Sequence, residues 1–328
     1  MVKRFLRDNP IHKKIAPKLD HLFLLRPTLF FAVWVMVVIG MSSAQLNLIY
    51  NPLWITSINI QSSLMFLGIT LICGSTFIIN QIADEKSDQI NDKLFLVGRK
   101  ISVENAEKLY KQLAVLGLLL MLLGDWKTVP LGLIIFFLWG IVYNNSPYKW
   151  KHHPVMGILT NMIVGILLFI IGWIHVIGES LKFVGMSIAM VPYILSFTAV
   201  SLMTNIPDLL GDREVNANTF AVQFGRRTTS LVSTAMVFGA FFVANELHDP
   251  IASTATIVSM PFFLFALLRN LDKDILRAIR YPIFLLNFFV MTIYPWLFPA
   301  VFLIYYISKY YYWHRFDLHY PTFLVENN

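Results

Sequence analysis

The sequence predicts an all-α fold, a polytopic membrane bundle of about nine transmembrane helices around a central chamber. Mean hydropathy is +0.64. Of the 328 residues 57% are hydrophobic and only 14% charged, against about 25% charged in an ordinary soluble domain. Apolar runs of the roughly 20 residues that a bilayer span needs recur along the chain. The single cysteine, Cys73, lies inside one of these runs, so no intrachain disulfide forms. The eight histidines are scattered, with His152-His153 the one adjacent pair, and no His/Cys zinc pattern is present.

The runs fall at about 28–48, 59–82, 109–125, 129–146, 154–176, 184–206, 227–246, 250–269 and 282–308. The first follows a basic segment containing Lys3, Arg4, Arg7, Lys13, Lys14, Lys18 and Arg26. No small-residue cleavage site succeeds it, so a retained helix is expected rather than a signal peptide. The second begins beyond Trp54 and ends in an acidic cluster; the third and fourth are separated by Asp125-Trp126-Lys127. The fifth carries Gly165, and the sixth carries Pro192 and ends in a second acidic cluster. The seventh starts at Arg227, the eighth follows Asp249, and the ninth is flanked by Tyr281 and a Tyr- and Trp-rich tail. Small residues within the runs suit packed membrane helices, and aromatic residues near their ends suit the interfaces.

Three segments follow: a basic amino-terminal segment 1–27, a transmembrane domain 28–308 and a carboxy-terminal tail 309–328. Nine spans place the amino terminus and the loops after spans two, four, six and eight on one face. Those segments hold roughly 21 of the 26 Lys and Arg, which makes that face cytoplasmic by the positive-inside rule. The formal charge of +7 follows these loops, so nucleic acid is not an expected partner. The tail, with Lys309 and Arg315, is expected on the opposite face.

Carboxylates are scarce, yet two clusters stand at span ends: Asn80-Gln-Ile-Ala-Asp84-Glu-Lys-Ser-Asp88 and Asp208-Leu-Leu-Gly-Asp212-Arg213-Glu. An ionisable group within a membrane span marks a functional site by default. On a helix Asn80, Asp84 and Asp88 share one face, as do Asp208 and Asp212. Two such rows facing each other suit Mg²⁺, which takes one or two carboxylates and completes its shell with phosphate oxygens and water. The alternative is that these carboxylates cap helices or pair with Lys86, Lys93 and Arg213 in a solvated loop. Both clusters lie beside polar loops, 83–108 and 207–226, long enough to carry function.

The two clusters resemble the Asn-x-x-x-Asp-x-x-x-Asp and Asp-x-x-x-Asp signatures of the UbiA-type intramembrane prenyltransferases. Ile206-Pro207-Asp208 through Asp212-Arg213, followed by Thr219-Phe220 and Gly225-Arg226, is similar to the branch of homogentisate and naphthoate prenyltransferases. Between the clusters, Tyr143-Asn-Asn-Ser146-Pro147-Tyr-Lys149-Trp-Lys151 resembles that branch's Tyr…Lys loop, and Arg26-Pro27 resembles its amino-terminal Arg-Pro. The resemblance covers nearly the whole chain. It implies transfer of a prenyl group from an allylic polyprenyl diphosphate to a lipophilic, aromatic acceptor in the membrane, as in quinone or tocopherol-like biosynthesis. It further implies Mg²⁺ held by Asn80, Asp84, Asp88, Asp208 and Asp212, with Arg26, Asn80, Lys149, Lys151 and Arg213 on the diphosphate. Asp84, Asp88, Asp208, Asp212, Lys151 and Tyr143 are then the catalytic set, and aromatic rings lining the chamber would stabilise an allylic cation.

Three positions depart from the family pattern: Asn216 stands where glycine is common, Thr204-Asn205 where Lys-Asp is common, and 91–100 lacks a proline-rich sequence. They leave the acceptor open among a benzenoid, a naphthoate, a chlorin, a glycerol phosphate and a carotenoid. A transporter or an inactive scaffold using the acidic helix ends for ion binding is the rival reading. A transporter places its charges near mid-membrane in broken helices, whereas here they gather at one end beside basic loops.

Overall fold

The computed structural model describes residues 10–48, 58–91, 94, 96–177 and 183–322. Its long helices are α1 (Phe30–Leu48), α2 (Ile60–Ala83), α3 (Val103–Asp125) and α4 (Val129–Ile135), the last prolonged by a π-helical turn over Phe136–Val142. They continue as α5 (Pro154–Ile177), α6 (Phe183–Thr204), α7 (Phe220–Glu246), α8 (Pro250–Arg269), α9 (Asp272–Ile293) and α10 (Leu297–Phe316). Among the described residues eight helical segments are long and apolar enough to cross a membrane. The chain is a multi-pass membrane protein.

One of the eight, Val103–Val142, is two antiparallel arms. Gly124 at the end of α3 lies against Gln61 and Met65, Gly132 lies against Met121, and Gly140 lies against Ile79, so α4 runs back along α2. Asp125 makes the reversal, its carboxylate accepting from the Lys127 N–H at 3.2 Å and its carbonyl from the Thr128 hydroxyl at 2.7 Å. The pairing of α1 with α5 is as close. A Cβ on Gly40 would collide with the Phe169 carbonyl, and one on Gly172 with the Val37 carbonyl, so two glycines let these backbones touch.

The last expected span, 282–308, is divided. Asp272 starts α9 ten residues earlier, where a nearly buried Asp274 pairs with Arg269 at 3.0 Å and with Arg277 at 3.2 Å. The break comes at Tyr294-Pro295-Trp296, where proline biases the preceding residue away from helical geometry and Tyr294 sits at φ −117°, ψ 74°. Hydropathy runs unbroken through this corner, so it is invisible in an apolar profile. Beyond it α10 returns to the end that holds the amino-terminal helices Pro10–Ile15 and Asp20–Leu24. Asp20 accepts from Arg315 Nη2 at 2.8 Å and from the Tyr311 hydroxyl at 2.7 Å, and Phe23 stacks on Tyr311 with ring centroids 3.8 Å apart. Lys309 and Arg315 therefore lie at the amino-terminal end of the bundle, not opposite it.

Overpacking at a backbone contact costs about 1–3 kcal/mol. Gly172→Val is expected to destabilise the protein by that free energy, read as a lower thermal unfolding midpoint in detergent. Gly239→Ala, whose added Cβ meets only Leu195 Cδ1 at 3.9 Å, should leave the midpoint in place.

Candidate active site

The first acidic row is carried by the end of α2 and the short helix Glu85–Ile90. Asp84 stands at the joint, at φ −99°, ψ 7°. Hydrogen bonds from Asp84 N–H to Asn80 carbonyl (2.9 Å) and Asp88 N–H to Asp84 carbonyl (2.8 Å) preserve the helical spacing across it. Asn80 Nδ2 donates to Asp84 Oδ2 at 2.7 Å and to Asn144 Oδ1 at 3.0 Å, which fixes the carboxylate from behind. Asp88 is 4% exposed and accepts from Arg26 Nη2 at 3.0 Å.

Arg26 itself is held in the left-handed region, φ 49°, directly before Pro27, a conformation that side chains rarely adopt. Backbone hydrogen bonds to Phe23 and from Leu29 fix it, and Gln81 Nε2 ties the Leu24 carbonyl to α2 at 2.6 Å. The amino-terminal segment thus delivers a guanidinium to the first acidic row.

The π-helical turn ending α4 is defined by a Tyr143 N–H bond to the Leu138 carbonyl at 2.9 Å. Such turns recur at functional sites. Here the turn directs Tyr143 and Asn144 inward. Asn144, 2% exposed, donates to the Trp139 carbonyl at 2.6 Å and accepts from Asn80 and from Lys151 Nζ, the latter at 3.3 Å. Lys151 is 9% exposed and its ammonium lies directly on Asp84 Oδ1. The loop closes through Lys151 N–H to the Tyr143 carbonyl at 3.2 Å.

The second row lies on the short helix Leu209–Glu214 beyond α6. Asp212 N–H bonds the Asp208 carbonyl at 2.9 Å, and Asp212 Oδ2 accepts from the Thr219 hydroxyl at 3.1 Å. Asn216 occupies φ 55°. That conformation is easy for glycine and tolerated by asparagine, so this departure from the family pattern keeps the turn.

Asn91 joins the two rows. Its Oδ1 accepts from Gly211 N–H at 2.8 Å and its Nδ2 donates to the Asp208 carbonyl at 3.3 Å. A Cβ on Gly211 would strike the Asn91 amide and stand 2.6 Å from the Ser87 carbonyl, so only glycine lets the two acidic helices meet. The loop that follows folds back on the bundle, burying Leu96, Val97 and Ile101.

Between the rows lies a polar cavity of ≈ 80 Å³ bordered by Asp84, Asp208, Asp212, Lys151, Tyr143, Ser87, His152, Asn205 and Thr219, among others. Burial, and then the charges of Lys151 and Lys149, lowers the pKa of His152, which favours the neutral ring. The structure therefore brings Asp84, Asp208, Asp212, Tyr143 and Lys151 together. Asn80 supports Asp84 from behind, and Asp88 pairs with Arg26; none of these three borders the cavity. Lys149, at φ 42°, and Arg213 are exposed and do not border the cavity. Thr204 borders this cavity and also a larger apolar one of ≈ 260 Å³, lined by Phe77, Trp139, Tyr193, Phe197, Met36 and Leu286 among others. Asn91, Asn144 and His152 carry no signal of their own in the sequence: an asparagine in a loop reads the same whether or not it bridges distant segments.

A family model described as the UbiA prenyltransferase family matches residues 33–289. The chain belongs to this family. Its UbiA relatives include a 2-acylphloroglucinol 4-prenyltransferase of Humulus lupulus, 29% identical over 223 residues, 63% of this chain and 54% of the relative. A probable homogentisate phytyltransferase 2 of Oryza sativa subsp. japonica is 25% identical over 54% of this chain and 48% of its own length. The chain spans about half the length of these curated relatives. Among solved UbiA structures, a homologue from Archaeoglobus fulgidus bound to GPP and Mg²⁺ superposes with a TM-score of 0.61 at 18% identity, covering 84% of this chain and 99% of that one. A digeranylgeranylglyceryl phosphate synthase superposes with a TM-score of 0.57 at 17% identity, covering 84% and 97%. These likenesses establish the fold.

Asn91→Ala is expected to destabilise the protein by about 1–3 kcal/mol, because it orphans the Gly211 N–H at a close-packed contact. An unchanged denaturation midpoint would show that the acidic helices hold together without this clamp.

Proposed function

We propose that the chain transfers a prenyl group from an allylic diphosphate to a lipophilic aromatic acceptor within the membrane. The observation that carries this reading is the junction at Thr204 of a carboxylate- and lysine-lined cavity with an apolar chamber. A diphosphate ester has the same two halves, an anionic head and an apolar tail. The names of the relatives, a 2-acylphloroglucinol 4-prenyltransferase and a probable homogentisate phytyltransferase, support it.

The donor set suits Mg²⁺. Among the described residues no three Asp, Glu, His or Cys side chains form a closed metal cage, and Mg²⁺ sites that share phosphate oxygens need none. Asp84 and Asp88 on one side, and Asp208 and Asp212 on the other, would hold the metal, with Asn80 either donating an oxygen or orienting Asp84. When bound, the ion neutralises charge on the departing diphosphate.

The chain's own groups do the rest. Lys151 now rests on Asp84 and Arg26 on Asp88; on entry of an anion both cations turn to its phosphate oxygens, lysine as a point charge and arginine as a fork. Lys149 and Arg213, exposed and outside the cavity lining, would reach the diphosphate only by turning toward it. Tyr143 faces the same cavity as a hydroxyl donor. Phe77, Trp139, Tyr193 and Phe197 surround the departing allyl group with ring faces that attract cations. The apolar walls keep water from capturing it, and the acceptor's ring carbon attacks with loss of its proton.

The site end is assigned to the cytoplasm. With Lys309 and Arg315 at that end, Lys127 is, among the described residues, the Lys or Arg left to the opposite connections, in keeping with the positive-inside rule.

Asp84→Ala and Asp208→Ala are each expected to lower kcat by at least about 100-fold, the scale on which a lost electrostatic contact to a reacting group registers. Labelled GPP in detergent measures it. Chelation should abolish transfer and added Mg²⁺ restore it. Full turnover in both variants would remove these carboxylates from the mechanism.

A further inference from the structure

Most hydroxyls on the chamber wall are spent on their own helices. Ser196 donates to the Pro192 carbonyl at 2.9 Å, Thr256 to Ala252 at 2.6 Å, Ser259 to Ala255 at 2.6 Å and Thr204 to Ser201 at 2.7 Å. Ser201 differs. Its Oγ accepts from Asn161 Nδ2 at 2.8 Å, across from α6 to α5, while Asn161 Oδ1 accepts from Trp139 Nε1 at 2.7 Å. All three residues line the chamber.

The direction of this relay follows from its first member. An indole N–H is a donor only, so Trp139 fixes which end of the Asn161 amide is oxygen. The amide nitrogen then faces Ser201 and supplies the hydrogen of that bond. The Ser201 proton is left to donate elsewhere, and the chamber is what it faces. Ser201 lies one helical turn, about 5 Å, from Thr204, where the polar and apolar cavities meet. It is therefore beside the place where the donor's reactive carbon would sit.

We infer that Trp139, Asn161 and Ser201 form the acceptor-recognition element, binding an oxygen of a hydroxyarene and selecting phenolic acceptors over those lacking that oxygen. This rests on the prenyl-transfer reading above. An all-hydrocarbon acceptor such as a carotenoid would leave the Ser201 donor unpaired on desolvation, which costs free energy. A glycerol phosphate would bring an anion to a wall on which, among the described residues, no Lys, Arg or His is present. A phenolic oxygen satisfies the donor and leaves the ring's nucleophilic carbon adjacent.

Purified full-length chain with GPP, Mg²⁺ and a set of dihydroxyarenes, each paired with the analogue in which hydrogen replaces one hydroxyl, tests this. Wild type is expected to favour each dihydroxyarene by roughly 10- to 100-fold in kcat/KM, since a site built to bond a hydroxyl rejects analogues lacking it. Ser201→Ala and Asn161→Leu should each bring the ratio to within about threefold, a residue of the lost hydrogen bond, and Ser201→Thr should preserve it. GPP consumption with equal rates on the dihydroxyarene and its deoxy analogue, or with the ratio retained in both disruptive variants, overturns the acceptor assignment alone. No GPP consumption with any acceptor overturns the prenyl-transfer reading and this inference with it.

Discussion

Carboxylates at the ends of membrane helices need partners, because hydrocarbon offers none and desolvating an unpaired charge costs several kcal/mol. The pairing of Asp84 with Lys151 and of Asp88 with Arg26 meets that need. Much else in the architecture follows from it. Lys151 reaches Asp84 because the π-helical turn and Asn144 fold the loop inward, and Arg26 reaches Asp88 because a left-handed residue before Pro27 turns the amino-terminal segment across the end of α2. The clasp of Asp20 with Arg315 and Tyr311 then anchors that segment to α10. α10 lies beyond the residues 33–289 that the family model matches, yet it is tied to the site through this chain of contacts.

Parts of this were legible in the sequence for a physical reason. The spacing of Asn80, Asp84 and Asp88 encodes a helical face, and the structure keeps the i, i+4 backbone bonds even where the helix bends at Asp84. The spans were legible because lipid demands about 20 apolar residues. The Tyr143–Lys151 loop was legible through its residue order, and Lys151 stands on Asp84.

Other parts were not legible. The turn at Pro295 sits inside an unbroken apolar run, so one expected span merged the end of α9 with the start of α10. Asn91 bonds Gly211 across 120 residues of sequence, and no local pattern announces a side chain that satisfies a distant backbone. The division of labour among the charged residues was equally hidden. Lys149 and Lys151 are two positions apart and look alike in sequence, but one is exposed and the other nearly buried, because the left-handed turn at Lys149 reverses the chain between them.

On the proposed function, the cavity between the acidic helices is a metal-dependent diphosphate site. Calorimetric titration of the full chain with a non-reactive thiolo analogue of GPP, with Mg²⁺ and then with chelator, tests it without requiring the acceptor. Saturable binding that needs Mg²⁺ and is lost in the Asp84→Ala/Asp208→Ala double variant is predicted. Equal affinity with chelator present, or in the double variant, would contradict it.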